Sequence, residues 1–482
     1  MNPSERIRAW LRPAVYLGRN TLTLAGAVLT TSSALTLVAF WVFNILMARS
    51  VDPYMGIIFF LILPGIFVVG LVLIPIGEIL QRRRLIAAGE LPTVYPKVDF
   101  AEPLLRRAFA WVGGLTMANV VIFSVASYQS VTYMDTPQFC GQTCHTVMQP
   151  EYTAYLNSPH QRVECVGCHI GPGAGWFVKS KLSGVRQVFA VTFHTYDRPI
   201  PSPVHQLRPA RETCEQCHWP QKFTGNKLDL IRKFSEDEKN TELTTVLLLK
   251  IGGRTWDGEV GIHGRHLDTN SPIEYIATDR QRQVIAQVSY RDSSGKQIVF
   301  TATDTKPTAE QLASGEHRTM DCIDCHARPT HIFQLPDRAV DLAMAQGRIS
   351  SEVPFIRKKA VEVLKVNYPD RDTASRQIAA TLDSFYRASY PDVYRDKHAL
   401  VETAIGQVQA VYLRNVFPAM KVTWGTYPNN LGHTDFPGCF RCHDGSHSSA
   451  DGRTIPNDCD TCHTMLAMEE QNPKVLADLG LK

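Results

Sequence analysis

At 482 residues the chain is long enough for two or three domains. Hydrophobic residues make up 44% of it, and most of the long apolar runs fall before residue 131. The formal net charge of +4 gives no case for a nucleic-acid partner.

The first twenty residues carry Glu5, Arg6, Arg8, Arg12 and Arg19. Residues 22–47 are then free of charge and long enough for one bilayer-spanning helix. A signal peptide is the competing reading, but the run is too long, lacks a clear small-x-small cleavage site and is followed at once by another apolar run. That second span covers 56–80, with kinks expected at Pro64 and Pro75. Gln81-Arg82-Arg83-Arg84 follows, and Lys97, Arg106 and Arg107 complete a basic loop. A third span covers 108–131, where Gly113, Gly114 and Ala118 would let a partner helix approach closely. The positive-inside rule keeps the N-terminus and the 81–107 loop in the cytoplasm. It places the 48–54 loop and everything after residue 135 on the periplasmic side of a bacterial inner membrane.

All 12 cysteines fall into six groups, each closed by a histidine. They are Cys140-Gly-Gln-Thr-Cys144-His145, Cys165-Val-Gly-Cys168-His169, Cys214-Glu-Gln-Cys217-His218, Cys322-Ile-Asp-Cys325-His326, Cys439-Phe-Arg-Cys442-His443 and Cys459-Asp-Thr-Cys462-His463. Cys-x-x-Cys-His is the attachment motif of c-type haem, whose histidine takes one face of the iron. The first group has one extra residue between its cysteines. A longer loop can still bring both thiols to the haem, so six covalent haems are expected. Such attachment takes place outside the cytoplasm, in agreement with the charge bias. Haem propionates would also make the folded protein more acidic than the formal charge.

Each iron needs a second ligand, usually histidine or methionine. An isolated histidine in an ordinary protein is most often a surface or hydrogen-bonded residue, but a chain with six haems reverses that expectation. Ten histidines remain after the six proximal ones. The expected distal set is His160, His205, His263, His317, His331, His433 and His447. Most of these stand a few residues from an attachment motif. Met148, three residues after His145, is expected at the first haem, because methionine raises the potential relative to histidine. His194, His266 and His398 stay outside the set, although His263 and His266 share a loop from which a haem could be capped.

Strands are expected at 244–251, 273–277, 283–290 and 297–302, forming a small antiparallel unit. Helices are expected at 356–366, 372–388 and 401–416 from apolar spacing near 3.6. The fold expected is a membrane-anchored multihaem cytochrome c. It has three transmembrane helices and a mostly helical or irregular, haem-packed periplasmic part with a β insert. Its regions are 1–107 with two membrane helices, 108–226 with a third helix and three haems, a β-rich insert at 227–316, and a three-haem C-terminal region at 317–482.

Residues 109–226 resemble the NapC/NirT family of membrane-anchored multihaem quinol dehydrogenases. The resemblance rests on a membrane helix, the first haem motif with Met148, Pro150-Glu151-Tyr152 and Ser158-Pro159-His160. It continues in the Cys165 motif, the lysine-bearing segment from Trp176 to Gly184, and Cys214-Glu-Gln-Cys217-His218-Trp-Pro-x-x-Phe223. The segment from Met320 to His331 is similar to longer members. The first two membrane helices and the 240–305 region depart from the family, as do six haem motifs where familiar members carry four.

The resemblance implies that quinol binds at the outer membrane face near the first haem. Two electrons then pass singly along the haems to a periplasmic cytochrome or reductase. It makes His160 and His205 distal ligands of haems other than their nearest, and places Lys179 and Lys181 near the quinol. Arg186-Gln187 stands where the family often has an acidic residue, so Glu151 and Asp135 are the candidate proton acceptors. The competing readings are an electron-relay subunit of a larger membrane complex and a multihaem oxyanion reductase. The extra membrane helices suit a complex with partner subunits. A reductase would need an open iron position.

Overall fold

The computed structural model describes all residues except 1–11, 14–15, 19, 48–62, 96–113, 115–116, 119–120, 123–124, 127, 131, 144, 172–173, 205–207, 220–222, 254–259 and 482. The chain divides into two compact units, Met1–Thr143 and Cys144–Lys482.

In the first unit, α1 (Thr21–Met47) and α2 (Leu63–Ala87) are the two described helices long and apolar enough to cross a membrane. They meet at small residues. A Cβ added to Gly70 would fall 2.8 Å from the Thr30 nitrogen and 2.9 Å from the Gly26 oxygen, and one added to Gly77 would fall 2.7 Å from the Thr23 nitrogen. Backbone contact of this kind needs glycine, because any side chain would push the helices apart. Positions 23, 26 and 30 meet 77, 70–74 and 70, so the helices run antiparallel. The hydroxyls of Thr30 and Thr31 return to the carbonyls one turn back, each at 2.8 Å, which satisfies them inside an apolar surface.

Helix α2 continues through Pro75, while Pro64 sits in its first turn, where a missing N–H costs nothing. The third expected span, 108–131, lies largely outside the described residues. Positions 114, 117–118, 121–122, 125–126 and 128–130 within it are helical. Phe139–Thr143 then forms a π-helical turn. Its wider winding takes up one additional residue, which is what the longer Cys140 motif contains.

The second unit begins with α3 (His145–Leu156) and α4 (Ala174–Thr192). Eight described strands follow: β1 (Lys227–Phe234), β2 (Glu242–Leu249), β3 (Glu274–Ala277), β4 (Ile285–Arg291), β5 (Gln297–Ala302), β6 (Glu316–Thr319), β7 (His447–Ser449) and β8 (His463–Glu470). They form two antiparallel sheets, ordered β1-β2-β8 and β6-β3-β4-β5-β7. The sheets therefore recruit strands from outside the 227–316 segment. Strand β7 pairs with β5, and β8, which starts at the sixth-motif histidine, pairs with β2. A short helix, α5 (Ile262–His266), lies between the two groups of strands in the chain.

Four further helices carry the main apolar core: α6 (Pro336–Ala345), α7 (Ile356–Leu364), α8 (Arg371–Ser389) and α9 (His398–Asn415). In α8 the buried residues Ala374, Ile378, Leu382 and Tyr386 recur every fourth position, one stripe of a 3.6-residue helix. Asp370 caps its start by accepting from the Thr373 N–H at 2.7 Å. Truncating a fully buried residue such as Leu382 to alanine is expected to cost about 2–5 kcal/mol. Helices α7, α8 and α9 lie where apolar spacing put them, whereas α6 was not expected from the sequence.

Candidate haem-binding centres

None of the described cysteines is in a disulfide. Four motifs lie on short helical turns: Cys165–His169, Cys322–Cys325, Gly438–Arg441 and Cys459–Thr461. Asp321 and Asp324 cap the turn at Cys322: the Asp324 carboxylate accepts from the Asp321 N–H at 2.7 Å.

The histidines come together in pairs. Ring centroids are 6.2 Å apart for His169 and His331, 6.0 Å for His218 and His160, and 6.4 Å for His326 and His263. They are 5.9 Å apart for His443 and His266, and 6.2 Å for His463 and His433. Each pair contains one motif histidine and one other. An iron bound by two imidazole nitrogens at about 2 Å, with each ring centre ~1.1 Å further out, separates the centroids by about 6 Å. The pairs thus fit a haem iron held from both faces.

Ring hydrogen bonds fit the same chemistry. The Nδ1 atoms of His263, His266, His331 and His443 lie 2.6, 2.8, 3.0 and 2.6 Å from the carbonyls of Ile251, Ile262, Glu151 and Pro456. Such a bond fixes the ring and leaves Nε2 for a metal. Burial holds the His169, His266, His326 and His331 imidazoles below their ordinary pKa, hence neutral, as a ligand must be.

Two expected ligands are placed differently. His317, on β6, directs Nε2 to the Leu312 carbonyl at 3.0 Å. His447, on β7 and buried, directs Nε2 to the Ile285 carbonyl at 2.9 Å and Nδ1 towards Asp444. In both, the nitrogen that the paired histidines leave open is engaged by backbone. His266 takes the place beside His443 that proximity in sequence suggested for His447. The available signal was the spacing of His263 and His266, three residues apart on one turn of α5.

The attachment turns also abut in chain order. Burial, then the thiols of Cys214, Cys165 and Cys217, push the Cys168 thiol up. Cys214 and Cys322 hydrogen-bond each other, which holds the first down and pushes the second up. Cys325 is pushed up to about 11 and Cys442 to about 12, by burial first, and each feels the other motif's thiols. Cys462 is raised by burial and by Cys439.

Of the remaining expected residues, Met148 lies on α3, three residues after His145. Cys144 and His205, and the side chains of His145 and Lys181, lie outside the described residues. Asp135 belongs to the helical stretch before the π turn. Lys179 is exposed on α4, its ammonium 4.5 Å from the Trp176 ring centroid. Glu151, on α3, is engaged otherwise than as a free proton acceptor. Its two oxygens accept from Arg328 Nη2 at 2.8 and 2.6 Å, and His331 Nδ1 is 3.3 Å from one of them. Arg328 also lies 4.0 Å above the Tyr427 ring. This ion pair is largely buried and contacts His331, which lies beside His169, through the His331 carbonyl and Nδ1.

Paired histidines beside paired thiols, repeated along one chain that also carries apolar membrane-length helices, define a multihaem cytochrome of the c type. Residues 105–201 match the NapC/NirT cytochrome c family, N-terminal region. The cytochrome c-type protein ImcH of Geobacter sulfurreducens is 42% identical over 457 residues, covering 94% of this chain and 89% of that protein. The cytochrome c-type protein NrfH of Wolinella succinogenes is 26% identical over 116 residues, covering 22% of this chain and 65% of that protein. No solved structure matches significantly. The chain belongs to the NapC/NirT family of cytochromes c, a membership that carries covalent haem and membrane anchoring.

Proposed function

We propose that this chain is a membrane-bound quinol dehydrogenase that passes electrons through six covalently bound haems to a periplasmic redox partner. The observation that carries the electron-transfer part is the set of five histidine pairs beside attachment turns that abut in chain order. His331, His160, His263, His266 and His433 are then the distal ligands of the second to sixth haems, and Met148 that of the first. Haem, when bound, supplies one-electron storage at an iron whose potential its ligands set.

The protein's part is positional. Its turns fix the thiols, its carbonyls orient the imidazoles, and Glu151 with Arg328 holds His331 in place. The order of the turns favours a single path from the second motif to the sixth. Support for quinol, menaquinol in particular, comes from family membership and from the lysine-bearing segment of α4. Lys179 and Lys181 would bind or orient the quinol, with Asp135 the remaining candidate to take its proton. The four regions drawn from the sequence would then be a membrane pair, a quinol-facing module, a β-rich spacer and an exit module.

The test is anaerobic mixing of the oxidised, purified protein with a menaquinol analogue, followed by haem absorbance. Fast reduction blocked by a quinone-site inhibitor is expected. No reduction, in a sample whose haems all respond to dithionite, overturns the quinol step and leaves an electron relay fed by a partner subunit.

A further inference from the structure

One side chain ties two attachment turns together. Arg441 is the second variable residue of Cys439-Phe-Arg441-Cys442-His443. Its guanidinium donates to three carbonyls: Nε to Gly438 at 2.9 Å, Nη1 to Arg282 at 2.8 Å and Nη2 to Asp324 at 2.5 Å. Asp324 holds the equivalent place in Cys322-Ile-Asp324-Cys325-His326. The Asn430 amide donates to the same Asp324 carbonyl at 3.2 Å. Arg441 therefore belongs to the fifth motif by sequence and grips the fourth by its main chain.

The charges around it do not cancel. The Asp324 carboxylate is almost fully buried, accepts from the Tyr275 hydroxyl at 2.5 Å, and lies 3.3 Å from Arg318 and 3.7 Å from Arg282. Arg282 pairs with Glu316 at 2.8 Å. Two carboxylates thus face two guanidinium groups. Arg441 is a third, and the partners described for it are carbonyl dipoles, which solvate a charge without neutralising it. Among the described residues no carboxylate forms an ion pair with Arg441, so its charge stands between the two turns without a paired counter-charge. Its guanidinium touches the backbone of both, at Gly438 and at Asp324.

Reducing a haem adds an electron, and a fixed positive charge in a poorly polarisable interior favours that electron. We propose that Arg441 is a positioning residue shared by the fourth and fifth haem sites, whose uncancelled charge raises the reduction potential of both. The proposal rests on the six-haem reading above, and its test separates the two.

The experiment is an anaerobic potentiometric titration of the purified full chain, followed by absorbance and by EPR of the low-spin signals. Haem content is measured on the same samples. Arg441→Gln is expected to move two of the fitted potentials negative and leave the others in place. Arg441→Lys, which keeps the charge, is expected to stay near the wild type. Asp324→Asn, which removes a negative charge from the same cluster, is expected to move the same two potentials positive. A merely structural tie would not give opposite signs.

Unchanged potentials in Arg441→Gln at full haem content overturn the proposal. So does a Lys variant that falls as far as the Gln variant, or an Asn variant that moves the same way. Should Arg441→Gln fail to accumulate, the Lys and Asn variants decide by the same signs. Fewer than six haems per chain in the wild type overturns the underlying reading instead.

Discussion

The ring of His160 lies 6.0 Å from that of His218, although the attachment motif at Cys165 and Cys168 stands between them in the chain. The pairing of histidine rings here follows space and not sequence distance. His160→Ala and His218→Met are therefore expected to alter the same low-spin EPR component, and His169→Met a different one. A shared component for His160 and His169 would contradict the pairing.

His317 and His447 give the converse case. Each spends Nε2 on a backbone carbonyl. Alanine at either position is expected to leave every low-spin signal intact. His447→Ala should still lower stability by about 1–3 kcal/mol, because it leaves the buried Ile285 carbonyl unpaired. Thermal unfolding together with EPR checks both halves of this statement.

The pair formed by Arg328 and Glu151 is 10% and 15% exposed at its side chains. Glu151→Ala takes the carboxylate from a largely buried guanidinium that keeps its bonds to Ser202 and the His331 carbonyl, and is expected to destabilise by about 3 kcal/mol. Arg328→Met combined with Glu151→Leu should recover part of that loss. The double variant would still show a disturbed haem at Cys165 and Cys168, since His331 has lost its carboxylate. Recovery of both stability and spectrum would assign the ion pair no orienting role.

Acidification has a defined sign. Burial depresses the pKa of His169, His266, His326 and His331 from an unfolded value of 6.5. The unfolded chain then binds more protons than the folded one, so stability is fully present above that value and is lost as pH falls through and below it. Unfolding temperatures measured from about pH 7.5 to about pH 5.5 should fall, with high-spin absorbance growing as protons compete for the imidazoles. Constancy over that range would contradict the lowered values of these rings.

Gly70 is one of the points where α1 and α2 approach closely. Gly70→Leu places a side chain against the Thr30 nitrogen and the Gly26 oxygen, both backbone atoms that cannot swing aside. The substitution is expected to separate the helices, lowering the yield of folded protein in detergent while the spectrum of the haems already attached stays unchanged. A wild-type yield and unfolding temperature would mean that the helix contact contributes little.

What could be read from the sequence follows from which constraints are local. Attachment motifs are legible because thioether chemistry fixes the spacing of Cys165, Cys168 and His169 on one turn. The helices around Ile378 and Leu382 are legible because burial imposes a four-residue recurrence. The partner of each motif histidine is another matter. His331 belongs beside His169 and His433 beside His463, through folding of distant segments, and no spacing rule encodes that. Strand register decides the fates of His317, opposite Ile276, and His447, opposite Ala302, and each lies close enough to a motif in sequence to suggest a ligand. Glu151 was legible as a carboxylate in the right neighbourhood, but not as the partner of Arg328, which comes from the segment after the fourth motif.

The pairing of His169 with His331 also bears on biogenesis. A ribosome makes His169 well before His331, with two complete attachment motifs produced in the interval. An early haem joined to Cys165 and Cys168 would wait with one coordination face open until the later segment arrived. Chains cut short after the third motif would carry attached but five-coordinate, peroxide-reactive iron. Quality control of this cytochrome would then act on completion of the polypeptide rather than on each haem as it is added.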